Sequence, residues 1–294
     1  MSGFGTFLSL TATGLTMGMI YACLGVGLIL LLRAVGVLNF AQGDFLALGA
    51  YAGWAITTQL HITGIGMVIL LAVFLALFGI FFMFTCYWPL RNSKWPQALM
   101  ICTLGASTVI AEICPLLCGS TAKTMEPNVT GSITLGEFSL QNQYVLVFAF
   151  CLLGLTFVWI LFDKIYAGKV MAAAAQNKYA AELIGIPTIL TTMCTYILVL
   201  LVAGFAGYLL SPIYMVRTSL KNFQSKAFTG VILGGTGSIM GCVIGSLIMG
   251  LVESYSTYFT TLYKDVFVFG VLLVILLIKP SGLFKSSIGV QEKA

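Results

Sequence analysis

Eight long apolar runs dominate this sequence and constrain its fold more than any other feature. Most of them reach the roughly 20 residues that an α-helix needs to cross the hydrocarbon layer of a membrane. They occupy residues 8–32, 35–56, 65–90, 98–117, 144–161, 189–210, 228–251 and 266–278. Because lipid offers backbone amides no partner, each run must be a helix or part of a closed barrel, and the lack of strict alternation excludes the barrel.

The composition leaves no room for a soluble domain. Of 294 residues, 60% are hydrophobic and 8% are charged, whereas about 25% are charged in an average soluble protein. We therefore predict an all-α fold, a polytopic transmembrane helical bundle of eight or nine crossings with broken helices, in which residues 1–294 form a single domain. Nucleic-acid binding is excluded, because the 14 Lys and Arg are spread over short connections instead of forming one basic face.

The positions of the basic residues predict the orientation of the helices. Alternate connections carry Arg33, Arg91, Lys94, Lys164, Lys169 and Lys178, whereas the opposite connections hold His61 and a longer loop with Lys123. The positive-inside rule makes the first set cytoplasmic and puts the N-terminus outside, on a first span that we expect to be retained. Eight crossings would leave the tail lysines 279, 285 and 293 outside, so a ninth, short crossing within 212–235 is favoured.

Two connections are too long to be simple turns. The outer loop 119–143 is polar, and the cytoplasmic loop 162–186 contains an Ala-rich stretch of high helix propensity that ends in Gly185. A short helix on the cytoplasmic surface is expected there. It is either an interfacial amphipathic helix without a partner or a docking helix for a soluble protein, because an Ala-rich face lets another surface approach closely.

The second span begins with an unusual group of polar residues. Asn39, Gln42 and Asp44 stand at or just inside the predicted membrane boundary. An acid at this depth is costly unless it faces water, pairs with a partner or caps a helix. Asn39 or Asp44 could cap a helix that starts at Phe45, or the group could line a translocation path; the two roles are compatible.

A second interruption is expected where Gly234, Gly235 and Gly237 follow one another, since clustered glycines disfavour a continuous helix. This is not a phosphate-binding loop, because no Lys follows and no strand precedes it. Glu112 lies well inside a span, so a partner on another helix or a place on the solute path is expected for it. Glu253 and Arg217 are expected near the membrane interfaces.

Metal binding is not indicated by the eight cysteines. Nearly all stand inside apolar runs, where a free Cys behaves as a small buried hydrophobe. Cys114 and Cys118 lie one helical turn apart, but two sulfurs without further ligands make a poor metal site.

Several motifs resemble one transporter family along the whole chain. LNFAQGDFLALGAY, AAELIGI, AFTGVILGGTGSIMGCVIGSLIMGLVES and KPSGLF are similar to the LivH-type permeases of branched-chain amino acid ABC importers. The resemblance implies the bacterial plasma (inner) membrane and a complex with a LivM-type second permease, two cytoplasmic ATPases and an extracytoplasmic substrate-binding protein. It also implies that ATP and Mg²⁺ are used by the ATPases, so that this chain needs no cofactor and is not itself an enzyme.

The resemblance also suggests roles for individual residues. The family pattern NFAHGEF corresponds to residues 39–45, with Gln42 in place of the usual His and Asp44 in place of Glu. The residues that the likeness assigns to ATPase coupling are Ala174, Gln176, Asn177, Glu182 and Gly185. Gln176 and Asn177 replace a usual acidic pair, which weakens the expectation of a charge-based contact there.

The sequence leaves alternatives to a branched-chain amino acid importer open. Urea, short amides or other amino acids are possible cargoes within the family. An ion-coupled secondary transporter would account for the broken helices but would normally have an internal repeat and more buried ionisable groups. An uncoupled channel would conduct solute without ATP. The expected mechanism is alternating access, with motion of the ATPases pushing on loop 162–186.

Overall fold

The computed structural model describes residues 3–91, 93, 95–135, 138–235, 237–280 and 282–284. The tail lysines 285 and 293, and Lys94, lie outside these residues. The helices are α1 (Gly3–Val35), α2 (Gln42–Trp54), α3 (Ile65–Phe82), α4 (Trp88–Leu90), α5 (Pro96–Cys118), α6 (Asn142–Asp163), α7 (Tyr166–Gln176), α8 (Lys178–Leu183), α9 (Thr188–Tyr214), α10 (Phe223–Gly234), α11 (Ile239–Phe259) and α12 (Lys264–Ile278). π-Helical turns at Ala55–Gln59 and Met83–Tyr87 extend α2 and α3, and a 3₁₀ turn covers Thr218–Asn222.

The prediction of an all-α, polytopic membrane fold is confirmed. Among the described residues, six helical segments are long and apolar enough to cross a membrane: Gly5–Val35, Ile65–Leu90, Gln97–Cys118, Asn142–Phe162, Thr188–Tyr214 and Ile239–Phe259. α2, α10 and α12 are shorter. The apolar run 228–251 is divided between α10 and α11, because the helix ends at Gly234 and the next one begins at Ile239.

The outer loop contains an element that the sequence analysis did not predict. Strands β1 (Ser132–Leu135) and β2 (Phe138–Gln141) form an antiparallel hairpin, in which Ser132 pairs with Gln141. α6 follows directly at Asn142, so the loop is two residues shorter at this end than the predicted range 119–143.

Contacts divide the chain into two compact units. The first is formed by the chain up to Ile29, by Val129–Leu152 and by the chain from Phe223 onward, and the second by Leu30–Asn128 and Leu153–Asn222. The single domain predicted for the whole chain is therefore described below as two parts, each by itself.

In the first unit, α11 packs antiparallel against both α1 and α10. A Cβ atom on Gly18 would lie 2.8 Å from Leu247, and one on Gly25 would lie 2.7 Å from the sulfur of Cys242. Residues later in α1 therefore contact residues earlier in α11, so the two helices run in opposite directions. The pairs Gly234 with Gly241 and Lys226 with Glu253 give the same relation for α10 and α11. α1 and α10 consequently run in the same direction.

The start of the C-terminal tail is fixed at the far end of α10. The backbone amides of Leu283 and Phe284 donate to the carbonyl oxygens of Leu233 and Gly234, at 2.8 and 3.3 Å. These carbonyls would otherwise lack partners at a helix C-terminus. Because α10 runs parallel to α1, the tail begins on the side toward which α1 runs, and Arg33 marks that side as cytoplasmic. This direction agrees with the nine-crossing topology.

In the second unit, α9 is the central helix and packs against α2 and α3. Glycines allow the close approach: a Cβ atom on Gly49 of α2 would collide with the backbone of Gly204 in α9. On the other side, a Cβ atom on Gly79 of α3 would lie 3.2 Å from Ile197 of α9. The backbones of α2 and α9 are therefore in direct contact.

Candidate functional site

The polar group at the start of α2 is almost completely buried. Asn39, Gln42 and Asp44 expose 3%, 0% and 1% of their surface. α2 begins at Gln42, three residues before the predicted start at Phe45, and no side chain caps its first turn. Asn39 instead accepts a hydrogen bond from the amide of Ala41 at 3.0 Å, which stabilises the turn that leads into the helix. Of the predicted capping, the structure therefore has the contact of Asn39 with the turn before the helix and no side-chain cap on the first turn itself.

Helix α5 and the 3₁₀ turn complete this site with residues that the sequence analysis missed. The amide of Phe40 donates to Thr103 Oγ1 at 3.2 Å, and Ser107 is near enough to Asp44 to favour the charged form of its carboxyl group. Lys221 is close enough to Asp44 to interact with it electrostatically. We call Asn39, Gln42, Asp44, Thr103, Ser107 and Lys221 the polar cluster. Thr103 and Ser107 are four residues apart and therefore lie on one face of α5. This spacing of two hydroxyl residues is the sequence signal that could have identified them.

The polar cluster lies at membrane depth and retains hydrogen-bonding capacity. Thr103 and Ser107 are seven and eleven residues after the start of α5, or about 10 and 16 Å along the helix. Among the described residues, neither Oε1 nor Nε2 of Gln42 has a hydrogen-bond partner, and neither has Oδ2 of Asp44. Buried polar atoms without protein partners are usually satisfied by water or a ligand. Gln42 and Asp44 therefore retain hydrogen-bonding capacity that the described residues do not use.

The cytoplasmic loop forms two short helices, not the single one that was predicted. α7 ends at Gln176 and α8 starts at Lys178, with Asn177 between them. Asn177 has an extended backbone and accepts a hydrogen bond from the amide of Ala180 at 3.0 Å, so it caps α8. An Asn between helix-forming residues is a known start signal, and it explains why the Ala-rich run is divided.

A side-chain hydrogen bond joins α8 to the first residue of α9. Thr188 Oγ1 donates to Glu182 Oε1 at 2.6 Å, and Gly185, with φ of +84°, makes the turn between the two helices. Glycine adopts this left-handed conformation without the steric cost that a Cβ imposes. On the α7 side, Ala174 is buried against a small crevice whose other lining residues are Ala34, Met171, Thr188, Thr191, Thr192 and Thr195. Glu182, Gly185 and Ala174 thus connect the loop to α9.

The opposite face of the loop is exposed and apolar. Tyr179, Leu183 and Ile184 expose 73%, 71% and 76% of their surface. We call these three residues the docking patch. Gln176, Asn177 and Glu182 are exposed beside it. The docking patch was not predicted, although the pattern of KYAAELIGI places its bulky residues on one side of a helix. Exposed apolar patches of this kind commonly mark sites of protein interaction.

The predicted glycine interruption belongs to the first unit. Gly234 is buried and packs against the backbone of Gly241, while Gly235 has a φ of +96°. Gly282 of the tail lies beside it, because a Cβ atom there would meet the amide nitrogen of Gly235 at 2.9 Å. Gly282, Leu283 and Phe284 of the tail thus contact the end of α10 and Gly235.

Glu253 is buried within the first unit instead of extending toward water, as snorkelling would require. It exposes 6% of its surface and accepts hydrogen bonds from Tyr21 and from Lys226, with the ammonium group of Lys264 at 3.4 Å. Lys226 also lies 3.0 Å from Asp265. The carboxylate is buried because cations on two neighbouring helices balance its charge, which the position of Glu253 in the sequence alone does not reveal.

Comparison with known proteins agrees with this architecture. The family model described as "Branched-chain amino acid transport system / permease component" matches residues 10–276. LivH of Escherichia coli is 30% identical over 94% of this chain and 95% of its own, and BraD of Pseudomonas aeruginosa is 29% identical over the same shares. A probable LivH of Methanocaldococcus jannaschii is 28% identical over 88% and 87%.

One solved structure has a similar fold. PsaBC from Streptococcus pneumoniae, in complex with a Fab, aligns with a TM-score of 0.53 at 16% identity, covering 95% of this chain and 94% of that chain. At this identity the likeness concerns the fold alone.

The family match extends over nearly the whole chain, and the relatives match it over nearly their full length. With its apolar spans, the chain is a multi-pass protein of the bacterial inner membrane. It belongs to the branched-chain amino acid permease family of ABC transporters.

Proposed function

We propose that this chain is the permease subunit of an importer that moves branched-chain amino acids inward by ATP-driven alternating access. The names of the relatives support this cargo. In the proposed complex, two cytoplasmic ATPases use ATP and Mg²⁺, a LivM-type permease forms the other half of the path, and an extracytoplasmic binding protein delivers the solute. This chain supplies the path and performs no catalysis.

The observation that carries the proposal is that loop 162–186 has one exposed apolar face and one face bonded to α9. Its docking patch presents bulky apolar side chains outside the membrane-spanning helices, which suits a soluble partner. Its other side is joined to α9 by the Glu182–Thr188 hydrogen bond and the buried Ala174. A force on the docking patch would therefore reach α9 first, and then α2 through the contact between Gly204 and Gly49.

The polar cluster is the proposed point at which this motion acts on the solute. A zwitterionic amino acid loses water on entering the membrane, and polar groups of the path must replace it. Gln42 and Asp44 retain unpaired polar atoms within the described part of the chain, and they stand at the start of α2. A shift of α2 would open or close access to these groups.

On the outer side, one stretch of loop 119–143 is held against the last part of α9 and the residues that follow it. Lys123 and Val216 exchange two backbone hydrogen bonds, at 3.0 and 2.8 Å, and Tyr208 hydrogen-bonds Asn128. This loop is suited to receive a binding protein, because α9 also carries the cytoplasmic coupling contact. Docking on the outside and ATP-driven motion on the inside would then both act on α9.

The proposal is tested by placing a charge in the docking patch. Leu183→Glu is expected to abolish copurification of the ATPases and ATP-dependent uptake, because burying a carboxylate in an apolar contact is costly. Leu60→Glu is the matched control: Leu60 is 57% exposed in the connection between α2 and α3, which the charge distribution places outside. Full uptake by Leu183→Glu, with the variant present at normal levels in the membrane, would overturn the proposal.

A further inference from the structure

Glu112 carries its charge on an exposed face of a membrane-spanning helix. It stands six residues before Cys118, the last residue of α5, or about 9 Å from the end of the helix. Its side chain is exposed and, among the described residues, it has neither a hydrogen bond nor an ion pair. Lys123, the nearest cation along the chain, lies instead 3.1 Å from Thr121 and over the ring of Trp54. A carboxylate facing lipid at this position is strongly disfavoured.

The same face of α5 carries two small residues, Gly105 and Thr108, and the hydroxyl of Thr108 donates to the carbonyl oxygen of Gly105 at 2.7 Å. Gly105, Thr108 and Glu112 are spaced by three and four positions, so they lie within about 60° of one another around the helix. All three are exposed, and nothing in the described part of the chain approaches the position of a Cβ atom on Gly105. We call these residues, with Ile101 and Leu104 beside them, the Glu112 face.

The exposed faces of α3 and of the second half of α6, also in the second unit, have no charged residue among their described side chains. α3 exposes Val73, Phe74, Leu77 and Phe81, and the second half of α6 exposes Leu153, Phe157 and Ile160. Such surfaces suit contact with lipid chains. The Glu112 face differs from them in carrying a charge, and charges inside a membrane usually pair with groups on neighbouring helices. Its small residues Gly105 and Thr108 would let another helix approach closely.

We propose that the Glu112 face of α5 packs against a second, non-identical membrane-spanning subunit, which places a cation or a hydrogen-bond donor beside Glu112. The inference rests on the proposed function, which requires a second permease. A second copy of this chain fits poorly. A two-fold axis along the membrane normal keeps equivalent residues at equal depth, so an interface formed by this face would bring two Glu112 carboxylates together.

Photocrosslinking in native membranes tests the inference directly. A benzophenone amino acid replaces Leu104 in the Glu112 face and leaves Glu112 unchanged. The same amino acid replaces Phe81 of α3 and Phe157 of α6 as controls, since these side chains are 62% and 56% exposed and Leu104 is 48% exposed. The expected result is an adduct with a different membrane subunit at Leu104 and adducts with lipid at both controls. Adducts with lipid alone at Leu104, or with a second copy of this chain, overturn the inference.

A substitution series gives the second measurement. Glu112→Leu is expected to reduce the recovery of the partner subunit several-fold, because the partner's cation or donor is left unpaired, and Glu112→Gln is expected to reduce it less. Equal recovery with Glu112→Leu contradicts the inference. Measuring the ATPases in the same samples distinguishes failure of the interface from failure of the proposed function. If the ATPases are retained and Leu104 forms adducts with lipid only, the interface alone is refuted. If the ATPases do not copurify even with the unmodified chain, the proposed function is refuted.

Discussion

Replacing Glu253 with Gln is expected to destabilise the first unit strongly. The carboxylate is 7% exposed and Lys226 is 14% exposed, so their ion pair is largely buried. Removing one partner of a buried pair costs about 3–5 kcal/mol. Lys226 keeps its contact with Asp265 at 3.0 Å, which favours the lower end of that range. At about 2 °C per kcal/mol for a chain of this size, the unfolding midpoint should fall by about 6 °C.

Reaction of buried thiols with a maleimide dye during heating measures this unfolding. Free cysteines at positions 23, 86, 114, 151 and 242 are buried and become reactive as the helices separate. The double variant Glu253→Gln with Lys226→Met should be more stable than the sum of the single changes predicts, because it removes both charges. Lys264→Gln is the control, since Lys264 is 31% exposed and its pairing is worth less than about 1 kcal/mol. A fall of less than 2 °C for Glu253→Gln would refute the reasoning.

Three further predictions concern the second unit. Gly49→Ala should lower the stability measured by the same assay by about 1–3 kcal/mol, because its Cβ atom collides with α9, whereas Gly154→Ala, which has open space around it, should not. Gly185→Val should cost about 1–2 kcal/mol locally and reduce ATP-dependent uptake while the ATPases remain bound; unchanged uptake would count against the role of this turn. Gln42→Met should leave the unfolding midpoint unchanged or higher, since it removes unpaired buried polar atoms, but it should impair uptake; normal uptake would remove Gln42 from the solute path.

The membrane fold could be predicted from the sequence because lipid permits few solutions for a chain this apolar. The runs around α1, α3, α5, α6 and α9 became helices close to their predicted bounds. The glycine interruption was foreseeable for a local reason, the conformational freedom of Gly234 and Gly235, whereas the hairpin in the outer loop had no comparable signal.

The parts that could not be predicted depend on contacts between distant segments. The burial of Glu253 requires Lys226 and Lys264 on neighbouring helices, and the environment of Asp44 requires Ser107 and Lys221. Single residues in the sequence do not reveal such pairings. The lack of a partner for Glu112 within the described chain likewise emerged only when the other helices were in place.

Uptake of labelled leucine into proteoliposomes tests the central claim most directly. The chain is reconstituted alone, with its partner permease, and with the permease, the ATPases and the binding protein, each with ATP or a non-hydrolysable analogue in the compartment that the ATPases face. The account predicts accumulation only in the complete complex with hydrolysable ATP. Accumulation by the chain alone under a sodium or proton gradient, or leucine flux without ATP, would contradict it.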